Sequence, residues 1–194
     1  MSDRRRTVAD AGLLVLAKHG LRGVTHRAVD AAAELPPGST SNVFRSRQAL
    51  IDGLVARLVE LDLEAMEAGD MRPDLSSPTA LAHQLANQSA ALTRPPLSTL
   101  TRARLELALH PDIDLGAQHL GFVAMLVPLL EALGAEGPER RARMIADYLD
   151  GLIFHALTMR ARGFDPEDAA DAIEALIGEV RTAPSNVDKQ SSQP

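Results

Sequence analysis

The chain contains no cysteine, which excludes both disulfides and thiolate metal sites and makes a reducing cytoplasm its expected setting. It also lacks a membrane-spanning run. The nearest uncharged apolar stretch, residues 115–130, is shorter than the roughly 18 residues a span requires and is interrupted by Gln118, His119 and Pro128. The opening Ser2-Asp3-Arg4-Arg5-Arg6 leads into an amphipathic pattern rather than an apolar core, so no signal peptide is expected. The six histidines stand at positions 19, 26, 83, 110, 119 and 155, with no pair at a metal-ligand spacing, and no glycine-rich phosphate loop occurs. Serines cluster without a histidine placed as their base. These absences argue against an enzyme, and no catalytic residue, metal or cofactor is expected. No strand alternation and no repeat of solenoid period is visible either.

What is present is helix-forming sequence with an uneven charge. Residues 1–58 hold nine Lys/Arg and five Asp/Glu, a balance of +4, whereas residues 59–194 hold eleven and twenty-one, a balance of −10. A basic head on an acidic body is the asymmetry expected when only the head meets nucleic acid.

Inside that head, residues 25–47 read THRAVDAAAELPPGSTSNVFRSR. The Thr25 hydroxyl can accept a free N–H of a first helix. Ala28, Val29, Ala32 and Ala33 give that helix a thin apolar stripe. The residue before a proline is pushed out of the α region while a proline suits a first turn, so one helix stops near Glu34 and another starts near Pro37. Val43 and Phe44 supply a buried edge. A short second helix of this kind suits a DNA major groove. Pro37, at the start of this helix, is counted with the DNA-facing candidates; the small Gly38, Ser39 and Ser41 allow close approach; Thr40, Ser41 and Asn42 offer hydrogen bonds; and Arg45 and Arg47 can neutralise phosphates. Thr25, His26 and Arg27 stand at the start of the first helix, where Arg27 can reach the DNA backbone and His26 reads as a surface or capping group. Arg4, Arg5 and Arg6 are either a phosphate or minor-groove arm or a solubilising terminus.

Residues 5–58 resemble the DNA-binding domain of the TetR family of bacterial transcriptional repressors. The resemblance rests on Ala17-Lys18-His19-Gly20 closing a first helix, Thr25 opening an alanine-rich second helix, the turn, the pair Val43-Phe44, and Arg45-Ser46-Arg47-Gln48-Ala49-Leu50-Ile51 opening a fourth helix. Four positions depart from the family pattern: Glu34 replaces the usual turn glycine, Ser41 a common phosphate-contacting tyrosine, Val43 the first aromatic of a pair, and Arg47 the usual lysine.

The fourth helix is expected from about residue 47 to 68, with Leu50, Leu54, Leu58, Leu61 and Ala65 on one face and Ile51, Val55 and Val59 widening it. Such a rod spans about 30 Å, enough to link a head to a separate body. A linker over 69–78 follows. Further helices are expected at about 78–93, 96–109, 112–133, 138–162 and 166–181. The fold class is therefore all-α with about nine helices. A helix-turn-helix DNA-binding domain spans 1–46, a helical effector-binding and dimerisation bundle spans 47–183, and 184–194 is a polar tail expected to be disordered.

Gln88 falls on an apolar stripe with Leu85 and Leu92, and must bond either a ligand or a neighbouring helix. Arg104 and Ala108 share a face, and Phe122, Met125 and Tyr148 are large, adaptable groups suited to core or cavity. The resemblance implies an effector cavity, for which these residues are the candidates. It also implies a homodimer built from the last two helices, through Leu149, Leu152, Ile153, Ala156, Ile173, Leu176, Ile177 and Val180. Its partners would then be a double-stranded DNA operator, a small-molecule effector and a second copy, with no membrane. A helical protein–protein adaptor is the alternative, and an all-α enzyme a more distant one.

Overall fold

A computed structural model describes residues 3–67, 72–159 and 163–178, apart from the side chains at 66, 67, 117 and 118. The expected tail and Val180 lie outside the described residues. Among the described residues there are nine α-helices and no strand: α1 (Asp3–Gly23), α2 (His26–Ala32), α3 (Ser39–Val43), α4 (Arg47–Glu67), α5 (Pro78–Leu92), α6 (Leu97–Ala108), α7 (Gly116–Ala132), α8 (Pro138–Thr158) and α9 (Pro166–Ile177).

Local chemistry sets most of these bounds. Thr25, Ser77 and Asp165 cap α2, α5 and α9 through side-chain oxygens that accept N–H groups of the first turn. Ser46 does the same for α4, accepting from the Ala49 N–H at 3.1 Å. Pro78, Pro138 and Pro166 occupy first-turn positions, where a missing N–H costs nothing. Gly20 interrupts α1 with φ 65°, so the expected stop at this glycine is a kink, after which one more turn follows. At the other end of the chain Gly178 takes φ 72° and ends α9 at Ile177, short of the expected 181. Helix α7 begins at Gly116 rather than 112, because the Asp114 carboxylate accepts the Gly116 N–H at 2.7 Å and holds the preceding residues in a turn.

Two apolar cores result. The first joins Val8, Leu13 and Leu16 of α1, Val29 of α2, Phe44, and Leu50, Leu54 and Leu58 of α4; it also takes in Ala103 and Leu107 of α6, both fully buried. The core of the head therefore runs past residue 46 and includes one body helix. The second core is built by α5, α7, α8 and α9 around Leu85, Leu126, Leu130, Ile145, Leu149 and Ile173. Helix α4 is covered most fully toward its start: Leu50, Leu54 and Leu58 are buried and Leu61 is partly buried, whereas Leu63 is 53 % exposed.

Charge ties α1, α4 and α6 together. Arg57 of α4 is buried and donates to Asp10 of α1 at 2.7 Å, and to Glu60 and Glu64 at 3.2 and 3.0 Å. The bond to Asp10 and the nearby carboxylates hold its guanidinium even more firmly protonated than usual, despite the opposing effect of burial. Arg104 of α6 donates to Asp62 of α4.

Candidate nucleic-acid interface and effector body

The helix-turn-helix is organised by a residue that reads, in the sequence, as one more solvated charge on an alanine-rich helix. Asp30 is 5 % exposed, and its two carboxylate oxygens accept the N–H of Gly38 at 2.8 Å and of Thr40 at 2.7 Å. Burial pushes its pKa up, but the bonds from Thr40 and Gly38, with the charge of His26 nearby, outweigh burial and hold it below the ordinary carboxylate value. The N-terminal N–H groups of a five-residue helix have no side-chain cap of their own, and Asp30 supplies one from the preceding helix.

Three further contacts fix the pair. A His26 ring nitrogen bonds the Phe44 carbonyl at 2.7 Å, joining the start of α2 to the end of α3. Leu35 N–H bonds the Asp30 carbonyl at 2.9 Å and Glu34 N–H the Ala31 carbonyl at 3.3 Å, the double closure that ends helices on a left-handed residue. The left-handed residue here is Glu34, with φ 54°. Finally, Phe44 is 1 % exposed and packs so close to Gly53 that a Cβ there would lie 2.2 Å from its ring.

Against this frame the expected DNA-facing residues separate into two groups. Ser39 and Thr40 are 4 % and 0 % exposed, so they belong to the inside of the head and not to its outer face. The short helix enters the core through its first turn, and Arg4 donates to the Ser39 hydroxyl at 3.2 Å. His26 is likewise structural, as its bond to Phe44 shows. The arginines of the opening sit within α1: Arg5 lies over the Phe44 ring at 4.5 Å, and Arg6 pairs with Glu60 at 3.3 Å. Arg47 is exposed but donates to the Leu21 carbonyl at 2.8 Å, and the exposed Ser41 hydroxyl donates to the Gly38 carbonyl at 2.9 Å. Thr25 spends its hydroxyl on the Ala28 N–H. Pro37 is exposed and Gly38, with φ 90°, is half-buried at the turn. Arg27, Asn42 and Arg45 are exposed, and among the described residues their side chains form no hydrogen bond or ion pair.

In the body, Leu85 is buried, while Leu92, Phe122, Met125 and Tyr148 are partly buried against the second core, with Gln88 half-buried beside Leu85. Burial, with Asp168 nearby, raises the Tyr148 pKa. Arg104 and Ala108 do not join this group: Arg104 is drawn to Asp62 on the head side of α6, and Ala108 is exposed. Of the expected interface residues, Leu149, Ile153, Ile173 and Ile177 are buried in the chain's own core, leaving Leu152, Ala156 and Leu176 partly open. The reason is that α8 and α9 turn their strongest apolar stripes inward, toward α7 and α5. A cleft of about 730 Å³ between α8 and α9 is lined by Tyr148, Leu152, His155, Ala156, Phe164 and Asp168, among others. No group of three His, Asp or Glu side chains among the described residues is arranged to hold a metal ion, and no described helix is long and apolar enough to cross a membrane.

Residues 76–179 match the model of the family described as "Tetracyclin repressor-like, C-terminal domain". A comparison with curated proteins finds no match. Among solved structures, the multidrug binding protein EbrR complexed with ethidium is 24 % identical, with a TM-score of 0.65 over 90 % of this chain and 98 % of its own. A TetR-family member from Streptomyces coelicolor A3 is 24 % identical over the same shares, with a TM-score of 0.68. A transcriptional regulator from Rhodococcus sp. Rha1 is 21 % identical, with a TM-score of 0.70 over 92 % of this chain and 95 % of its own.

Proposed function

The chain belongs to the TetR family of DNA-binding transcription regulators, which are not enzymes, and from that premise we propose that it is a homodimeric cytoplasmic repressor. In this reading the dimer binds an inverted-repeat operator and releases it when a small molecule occupies the body. The observation that carries the DNA reading is the unspent chemistry of the head. Arg27, Asn42 and Arg45 stand on its outside with no partner within the described chain, on a helix pair where Thr25, His26 and Asp30 spend their side chains on bonds that hold its shape. An amide such as Asn42 can read a base edge, and the arginines neutralise phosphates on either side of it. Ser41 retains acceptor capacity, and Arg5 and Arg47 add positive charge.

The effector reading is supported by the half-buried group Gln88, Leu92, Phe122, Met125 and Tyr148 around Leu85, and by the fold shared with EbrR, which is described in complexes with ethidium and malachite green. Dimerisation is assigned to Leu152, Ala156 and Leu176 backed by the buried Leu149, Ile153, Ile173 and Ile177; an apolar strip left open beside a well-filled core is what a second copy would cover. Release follows as a population shift, since the effector need only prefer a body conformation in which the two heads no longer match the operator. The test is selection of genomic fragments by the purified protein, then salt titration on the best-bound fragment. Enrichment of one inverted repeat, with affinity falling steeply as salt rises, is the expected outcome. Recovery of fragments with no shared site, unaffected by Arg27→Ala with Arg45→Ala, would end the DNA reading.

A further inference from the structure

A second cleft, of about 480 Å³, opens where the head meets the body. Its walls come from the end of α1, the start of α4 and the end of α6, and they carry His19, Arg22, Arg47, Glu106, Leu109 and His110. None of these belongs to the effector group described above, which lies in the other core.

Five observations define what this cleft can hold. Arg22 is exposed and its side chain makes no bond within the described residues, so its full charge faces the opening. Arg47 uses one N–H on the Leu21 carbonyl, which fixes the direction of the guanidinium and leaves its other N–H groups free to donate. The Asp112 N–H donates to His110 Nδ1 at 3.3 Å, so the neutral ring carries its proton on Nε2 and is a donor there. Against these stands one lining carboxylate, Glu106, brought close by the kink at Gly20; a Cβ at that glycine would lie 3.1 Å from Glu106 Oε2. The polar lining is therefore mainly of donors and positive charge. Leu109, 72 % exposed, adds an apolar side that nothing in the described chain covers.

We propose that this head–body cleft binds a small amphipathic oxyanion, its carboxylate or phosphate oxygens on Arg22 and Arg47 and its apolar part against Leu109. Two guanidinium groups on separate elements suit an oxyanion because each offers parallel N–H donors to a pair of oxygens. The histidines add donors at the rim. Because the three walls belong to α1, α4 and α6, an occupant fixes the head relative to the body. Resting on the operator reading, it also engages Arg47, one of the cations assigned to the DNA, so occupancy and operator binding oppose each other.

The test uses the full chain without DNA. Octanoate, acetate and inorganic phosphate are titrated at ionic strength held constant with chloride, and the imidazole NMR signals of His19 and His110 are followed. Both rings are expected to shift together and saturate with each oxyanion, at lower concentration for octanoate than for acetate. Arg22→Ala should raise the midpoint about ten-fold, the loss of one charge-assisted contact. Glu106→Gln, which removes the opposing carboxylate, should lower it, and Leu109→Ser should bring octanoate and acetate together. Arg22, Glu106 and Leu109 are all exposed, and circular dichroism establishes that each variant is folded. Shifts that never saturate, that chloride reproduces, or that are unchanged in Arg22→Ala would overturn the proposal. Binding is read without DNA, so its failure is separate from a failure of the operator reading. If both hold, saturating octanoate weakens operator binding, and Arg22→Ala requires about ten-fold more of it.

Discussion

Two residues decide the geometry of the helix-turn-helix, and they do so in opposite senses. Asp30 stabilises the turn as an anion that accepts two N–H groups inside the head. In Asp30→Asn one of the two amide N–H groups would face a donor instead of an acceptor, so the variant should lose about 1–3 kcal/mol of stability at neutral pH, measured by urea unfolding. The pH dependence has a definite sign. The folded pKa of Asp30 lies below the ordinary value of 3.8, so its contribution is complete above that value and is lost as pH falls through the lower, folded one. The stability gap between wild type and Asp30→Asn should therefore be constant near neutrality and close as pH drops below about 4. Glu34 acts the other way. It occupies the left-handed seat that closes α2, at φ 54°, where a Cβ is crowded. Glu34→Gly should stabilise the protein by about 1 kcal/mol, a rise in Tm of about 2–4 °C for a chain of this size, with operator affinity retained. A fall in Tm would mean that the glutamate makes a compensating contact that outweighs the strain.

At the scale of elements, α3 is too short to stand alone and takes its position from what it rests on. Phe44, at its end, sits against Gly53 of α4, so Gly53→Ala must move the ring and with it the helix. That substitution should destabilise by about 1–3 kcal/mol and weaken DNA binding beyond what the stability loss explains. Gly151→Ala is the matched control: its new Cβ meets nothing within 4 Å, and the gain in helix propensity should stabilise by up to about 1 kcal/mol. The same dependence on neighbours explains what the sequence could and could not reveal. Helix existence and most ends were legible because Thr25, Ser77, Asp165 and the first-turn prolines act locally. The basic head, the turn and the outward Arg27, Asn42 and Arg45 were legible for the same reason. Asp30 was not, because a carboxylate on a helix of alanines looks solvated until the turn folds back over it. The inward seats of Ser39 and Thr40 are not legible in the sequence, because helical periodicity carries little information in five residues and burial there is set by how α3 enters the core. Nothing in the sequence separates Arg104 from the effector candidates, because its pairing with Asp62 joins positions distant in sequence. Nothing in the sequence separates Leu149, Ile153, Ile173 and Ile177 from the open residues of the expected interface, because the cover provided by α5 and α7 is a property of packing. The sharing of α6 by the head core is of the same kind, since nothing in Ala103 or Leu107 indicates which core each enters.

For the molecule as a whole, the division between a head of +4 and a body of −10 fits nucleic-acid binding at one end, and the proposed inverted-repeat operator requires two heads acting together. That places the demand on the strip Leu152, Ala156 and Leu176, which is only partly covered by its own chain. Leu152→Asp tests it with little risk to the fold, because the side chain stands at the edge of the second core and not within it. A carboxylate on this strip would face its own counterpart across a two-fold axis in a dry contact, which disfavours association both by desolvation and by like charge. The variant is expected to sediment as a monomer with an unchanged helical signal. Each head then binds its half-site independently, and affinity for the full inverted repeat should fall on the order of a hundred-fold, the loss of the effective concentration that joins two binding events. Affinity for an isolated half-site should stay the same, and the dependence of binding on log salt should become about half as steep, since half as many phosphates are neutralised in each event. A variant that remains dimeric would move the interface off this face of α8. A monomer that held the full repeat as tightly as wild type would show that one head suffices, and the two-headed reading of the operator would be lost.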